Sequence, residues 1–173
     1  DDGQWFFACA DLAPYRALAG APPARLELLS VRFDQVQHQA AGFRHRLRQA
    51  RFLVDTGATA HMTTNQDLLC NLHPVSGEWV WFGDGKQRHP ITATGDVRAA
   101  VQLPDGRSAL LTLTNVLLVP DLHQANNLLS MAALQHQDEL RLSASSSTLT
   151  VSGIELPLNT SPDGKDHFIS MLV

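Results

Sequence analysis

The spacing of apolar and polar positions divides this chain into short strands with few helical stretches. Phe52-Leu53-Val54 is a brief apolar run of the kind that forms a buried strand, and it leads into Asp55-Thr56-Gly57 and the small residues Ala58 and Ala60. Upstream, Leu29, Val31 and Phe33 alternate as in a strand. Leu29, Phe33, Val36, Ala40, Phe43 and Leu47 also recur at helical spacing, but Gly42 weakens a continuous helix. A strand over 25–33 is therefore expected, then a loop or short helix, then a strand over 49–54. Thr63 and Gln66 stand at capping-box spacing before Leu68, Leu69 and Leu72, which predicts a short helix within 63–71. Residues 78–101 read as a long hairpin. Trp79 and Trp81 share one face, Val80 and Phe82 the other, and Gly83-Asp84-Gly85-Lys86 forms the turn. Pro90 restricts the returning arm to an edge or a bulge.

Further along, Pro104-Asp105-Gly106-Arg107 is a second turn. Residues 109–119 set Leu111 and Leu113 against Thr112 and Thr114, and Pro120 ends that strand. Ser130 is placed to cap a helix over 131–137. Strand-like pieces follow at 140–142, 148–151 and 154–158. Asp163-Gly164 then turns the chain into a last strand over 167–173. The whole pattern predicts a mainly β domain with one or two short helices.

Composition narrows the function classes. The chain has 173 residues, 44% of them hydrophobic, enough for one domain with a core. Residues 1–23 open on Trp5-Phe6-Phe7 and end in Gly-Ala-Pro-Pro, which reads as an extension and linker before a body over 24–173. The aromatic cluster is expected to pack on that body or on a partner. Asp1 at the first position suggests a processed or cut end. The net charge of −4 gives no basic face of the kind nucleic-acid binders carry. The run Arg44, His45, Arg46, Arg48 and Arg51 reads as a solvated face, with polyanion contact as the minor alternative. No histidine pairs with a cysteine at zinc-ligand spacing, so neither metal nor cofactor is expected. Cys9 and Cys70 lie far apart and imply no disulfide framework, which points to a reducing compartment. No apolar run is long enough to span a membrane, and no signal peptide is evident.

The chemistry concentrates at Asp55. A carboxylate at the end of a buried strand stands between packed interior and open space. Thr56 can hydrogen-bond locally, and Gly57 admits close backbone approach. Asp-Thr-Gly is the signature triplet of aspartic proteases, whose chemistry needs two carboxylates sharing one proton. Like charges about 3 Å apart cannot both ionise, so an acid and a base coexist. This sequence holds no second Asp-Thr-Gly or Asp-Ser-Gly. Asp84-Gly85, Asp105-Gly106 and Asp163-Gly164 lack the middle hydroxyl residue and read as turns. If Asp55 is catalytic, its partner is Asp55 of a second copy on a two-fold axis. The competing reading is an ordinary Asp-x-Gly turn, with 78–101 an ordinary surface hairpin.

Taken in order, these motifs resemble the aspartic protease of Ty1/copia-type LTR retrotransposons. The likeness is carried by FLVDTGATAHMT from Phe52, FGDGK from Phe82, TNVLLVPDL from Thr114 and NNLLSMAAL from Asn126, and it covers about 52–173. That family often has Ser where Thr56 stands. Retroviral proteases carry Gly where Ser130 follows Leu128-Leu129, and copia-type elements commonly show Ser. The resemblance implies a retropepsin-like half-barrel working as a homodimer, with Asp55 activating water. Thr56 and Gly57, beside Ala58, would lock the two active-site loops together. Trp81, Phe82, Gly83, Asp84 and Gly85 would form a flap over an extended peptide or polyprotein substrate. Leu128, Leu129 and Ser130 would pack behind the site, and the C-terminal strand would help build an inter-subunit sheet. The implied setting is the cytoplasm or virus-like particles. The rival is a domesticated or inactive copy serving as a dimerisation or peptide-binding module.

Overall fold

A computed structural model describes residues 8–10, 24–34, 48–82, 87–122, 127–135 and 139–173. Among them the chain forms β1 (Ala8–Ala10), β2 (Ala24–Arg32), β3 (Gln49–Asp55), β4 (Met62–Thr63), a 3-10 turn (Gln66–Leu68), β5 (Cys70–Phe82) and β6 (Gln87–Gln102). There follow β7 (Arg107–Leu118), β8 (Asn127–Ser130), the single-turn helix α1 (Met131–Leu134), β9 (Arg141–Ser143), β10 (Thr148–Val151), β11 (Ile154–Pro157), β12 (Asn159–Thr160) and β13 (His167–Leu172). The protein is mainly β, as the alternation of its side chains predicts.

The large sheet runs β1-β5-β6-β13-β3-β8-β4-β7-β2, and β6 also pairs with β7. That extra pairing closes β6, β13, β3, β8, β4 and β7 into a ring, so these strands form a barrel. β9, β10 and β11 make a separate three-stranded sheet whose Leu149, Val151 and Leu156 join the main core.

The barrel wall that matters for chemistry is β3 against β8. The two run parallel, from Phe52 opposite Asn127 to Asp55 opposite Ser130. Alternation in β3 sends Phe52 and Val54 into one core, with Leu111, Leu129 and Ile169. Leu53 packs on a second core of Ala58, Met62, Val80, Leu117 and Leu128. β8 divides its leucines the same way. The wall is therefore apolar on both sides, and a polar loop at its end is held by two packed clusters.

The structure departs from the expected elements at three places. The turn within 63–71 is capped by Asn65, whose side chain accepts the Asp67 N–H at 3.0 Å. Thr63 is instead buried in β4, where its hydroxyl bonds Asn127. β5 begins at Cys70, eight residues before the expected hairpin arm, and reaches β6 through register shifts between Cys70 and His73 and between Pro74 and Glu78. α1 stops at Leu134, well short of 137. β13 pairs with β3 on one edge and with β12 and β6 on the other, all within one chain.

The segment 35–47, with Arg44, His45 and Arg46, lies outside the described residues, as do Trp5, Phe6 and Phe7. Of the basic run, Arg48 pairs with Asp67 on the surface, and the Arg51 guanidinium stacks 4.2 Å over the Phe168 ring. Both arginines are exposed, as a solvated face requires. Within the extension, β1 lies antiparallel against β5, with Ala8 opposite Phe82 and Ala10 opposite Val80.

Candidate active site

Asp55 ends β3, where the chain leaves the sheet and doubles back. Its Oδ1 accepts the Gly57 N–H at 2.7 Å and the Ala58 N–H at 3.1 Å. Both bonds fall on the same oxygen, so the carboxyl group is oriented while Oδ2 takes no part in the turn. The group is half-buried. Desolvation pushes its pKa up, and the two backbone N–H groups pull in the opposite direction without cancelling the shift. A carboxyl held above its usual range is what acid–base work near an acidic pH requires.

The loop around Asp55 is built from small buried residues. Ala58 is wholly buried and Ala60 nearly so, while Thr56 is exposed. Behind the loop, Leu128, Leu129 and Ser130 are all buried. The Ser130 hydroxyl donates to the Ala58 carbonyl and accepts the Ala133 N–H at 3.0 Å. One side chain thus caps α1 and anchors the loop that carries Asp55.

Two supporting residues escape sequence reasoning. The Asn127 side chain accepts from Thr63 Oγ1 at 2.6 Å and donates to the Arg51 carbonyl at 2.9 Å, fastening β8 to β3 and β4. His61 is fully enclosed, and its Nδ1 accepts the Ser130 N–H at 3.0 Å. Asn127 is the second residue of the quoted Asn-Asn-Leu-Leu-Ser motif, and His61 lies within the FLVDTGATAHMT stretch. Their motifs were visible, but their contacts are long-range.

The hairpin of β5 and β6 presents Trp79 and Trp81 outward, 41% and 42% exposed. Phe82 turns inward and packs on the core that contains Ala58 and Leu128, and its ring meets His89 edge-on at 5.1 Å. The two flap candidates therefore take opposite faces, as their alternation predicts. Gly83, Asp84 and Gly85 lie outside the described residues. The Arg88 guanidinium stacks 4.5 Å over Trp79 and stiffens the outer face.

A cavity of about 510 Å³ opens elsewhere, lined by residues that include Phe33, Gln49, Gln102, Pro157 and Asn159. It contains none of the residues around Asp55. Its lining offers amides and aliphatic carbons but no pair of titratable groups, so the chemistry is better sought at the strand end. Among the described residues, no three His, Cys, Asp or Glu side chains gather as a metal site, and no helix is long and apolar enough to cross a membrane.

The fold and the site together define a closed mainly β domain that fixes one half-buried carboxyl at a barrel end. Residues 52–139 match the family described as Pol polyprotein, beta-barrel domain. That match spans just over half of the chain, and the chain belongs to this family. Its origin is therefore a retroelement-type polyprotein. No curated protein and no solved structure matches the chain.

Proposed function

We propose that this domain is an aspartic endopeptidase of the Ty1/copia type that matures its own polyprotein. Asp55 pairs with Asp55 of a second copy, and the two carboxyls share one proton. The ionised member takes a proton from water as that water attacks the scissile carbonyl. The protonated member donates to the carbonyl oxygen, and the leaving amine then collects a proton. The observation that carries this reading is the Asp55 turn, in which two N–H groups orient one carboxyl oxygen of a half-buried acid. Thr56, exposed beside it, is available to contact a partner loop.

An extended substrate would lie under the hairpin and bind by strand addition. β1 already pairs with the edge of β5 at Val80–Phe82, so a substrate strand adding there would take the place that β1 holds. Maturation would take place in the cytoplasm or in virus-like particles. The test is cleavage of the precursor or of a peptide library between pH 4 and 7 by the parent and by Asp55→Asn. The parent is expected to cut and the variant to lose essentially all turnover. Equal cleavage by both would end the mechanism, and peptide binding without turnover by the parent would make this a binding module.

A further inference from the structure

His61 has no role in the proposed peptide cleavage as set out above, yet its environment is unusually constrained. The ring is enclosed, at 1% exposure, and Nδ1 accepts a backbone N–H from Ser130. An accepting Nδ1 carries no proton, so the neutral ring must hold its proton on Nε2. Nε2 has no hydrogen-bond partner among the described residues. Leaving a buried donor unpaired is costly, and the site tolerates it where Leu or Phe would pack without penalty. The return on that cost lies on the other side of the ring.

Ser130 stands opposite Asp55 in the parallel pairing of β3 and β8. Its backbone is held by His61, and its hydroxyl holds the Ala58 carbonyl. The N–H of Ala58 in turn bonds Asp55 Oδ1. From His61 to Asp55 there is thus an unbroken series of contacts through two residues. The His61 carbonyl also accepts from Leu117 N at 2.9 Å, which fastens the same loop to β7.

We infer that His61 is a positioning residue for Asp55, a neutral imidazole acceptor that sets Ser130, and through Ser130 and Ala58 fixes the carboxyl orientation. The inference rests on the proposed role of Asp55 for its kinetic consequence but not for its structural one. A proton added to the ring goes to Nδ1, where it faces the Ser130 N–H donor to donor. The brace then parts. Burial already depresses this imidazole to about 4, and burial is the cause. Of the elements bonded to His61, β8 and β4 carry no ionisable side chain. β7 carries Arg107 at its far start, and Asp55 lies at the end of the series.

The variants His61→Asn and His61→Leu separate acceptor from bulk. The Asn side-chain oxygen falls where Nδ1 stood, whereas Leu fills the space without accepting. With peptide substrate, Asn is expected to keep kcat within about fivefold, and Leu to lower it about 100-fold with KM little changed, as a misplaced reacting group does. The Leu variant keeping parental kcat would overturn the inference. A readout independent of cleavage uses the unaltered chain and Asp55→Asn. The amide resonances of Gly57, Ala58 and Ser130 are followed by NMR alongside the His61 ring between pH 3 and 7. In Asp55→Asn all are expected to shift together in one step near pH 4, and in the unaltered chain that step is present beside the one Asp55 itself contributes to its bonded amides. Amides that stay still while the ring titrates, or that move only where Asp55 is present, would overturn it. Coupled amides in a protein that cuts no peptide would sustain the positioning role and refute the protease reading alone.

Discussion

At the scale of single residues, Asp55 and His61 impose opposite demands on pH. Burial raises the carboxyl pKa of Asp55. Its contribution to stability is fully present below its ordinary value of 3.8 and is lost as pH rises through the raised value, because the folded state resists the charge. Burial lowers His61 from 6.5 to about 4. The unfolded state binds more protons between those values, so stability climbs over that interval, is complete above 6.5, and is lost as pH falls towards 4. The gap corresponds to ~3 kcal/mol for a wholly buried ring. Two changes in the pH profile of urea unfolding are expected. His61→Asn should flatten the rise between pH 4 and 6.5. Asp55→Asn should gain stability over the parent at pH 7 and converge with it near pH 3. A parental profile from either variant would show that the respective group does not titrate as buried. The neutral imidazole sets a lower limit of about pH 4, and the raised carboxyl extends its protonated form above the ordinary 3.8.

At the scale of elements, the barrel depends on close contacts that alternation does not encode. Gly95 of β6 is buried where β6 shifts register against β7. A Cβ there would stand 2.8 Å from the Cys70 carbonyl and 3.2 Å from Leu69 Cβ. Backbone cannot yield as a flexible side chain does, so Gly95→Ala is expected to cost roughly 1–3 kcal/mol in chemical denaturation. A cost near zero would mean that β5 moves freely there. The same places show what was legible. Strands with one buried face, such as 109–119 and 148–151, could be read from their alternation, and Ser130 could be read as a cap from its hydroxyl before a short apolar run. The Pro104–Gly106 turn was equally plain, and Gly106 adopts the left-handed φ of 81° that its position demands. The start of β5 was hidden because 70–74 is exposed on both faces, so only its pairing with β6 makes it a strand. Asn65 displaced Thr63 as a cap because Thr63 found a buried partner sixty-four residues away. Asp55 was legible from three neighbouring residues. His61 and Asn127 were not, since their value lies in which distant backbone they meet.

At the scale of the whole molecule, the proposed function raises the question of where a second copy would dock to bring its own Asp55 into a shared site. Within the chain β13 is paired with β3 along one edge, and with β12 and β6 at the two ends of the other. β2 pairs with β7 and stands at one end of the sheet path, and β1 on β5 stands at the other. Leu28 on β2 is half exposed, which gives that end an apolar residue to cover. Whatever edge is used, a shared site makes a quantitative prediction. Parent and Asp55→Asn chains are mixed in equal amounts, left to exchange, and assayed at fixed total concentration. If each chain cuts alone, half of the parental activity remains. If both carboxyls are required, random pairing leaves about one quarter, because that is the share of dimers with two intact aspartates. Dilution should lower specific activity in the second case and leave it unchanged in the first. A residual of one half, with activity indifferent to dilution, would place the entire acid–base apparatus in one chain and leave the lone Asp55 turn without a catalytic explanation.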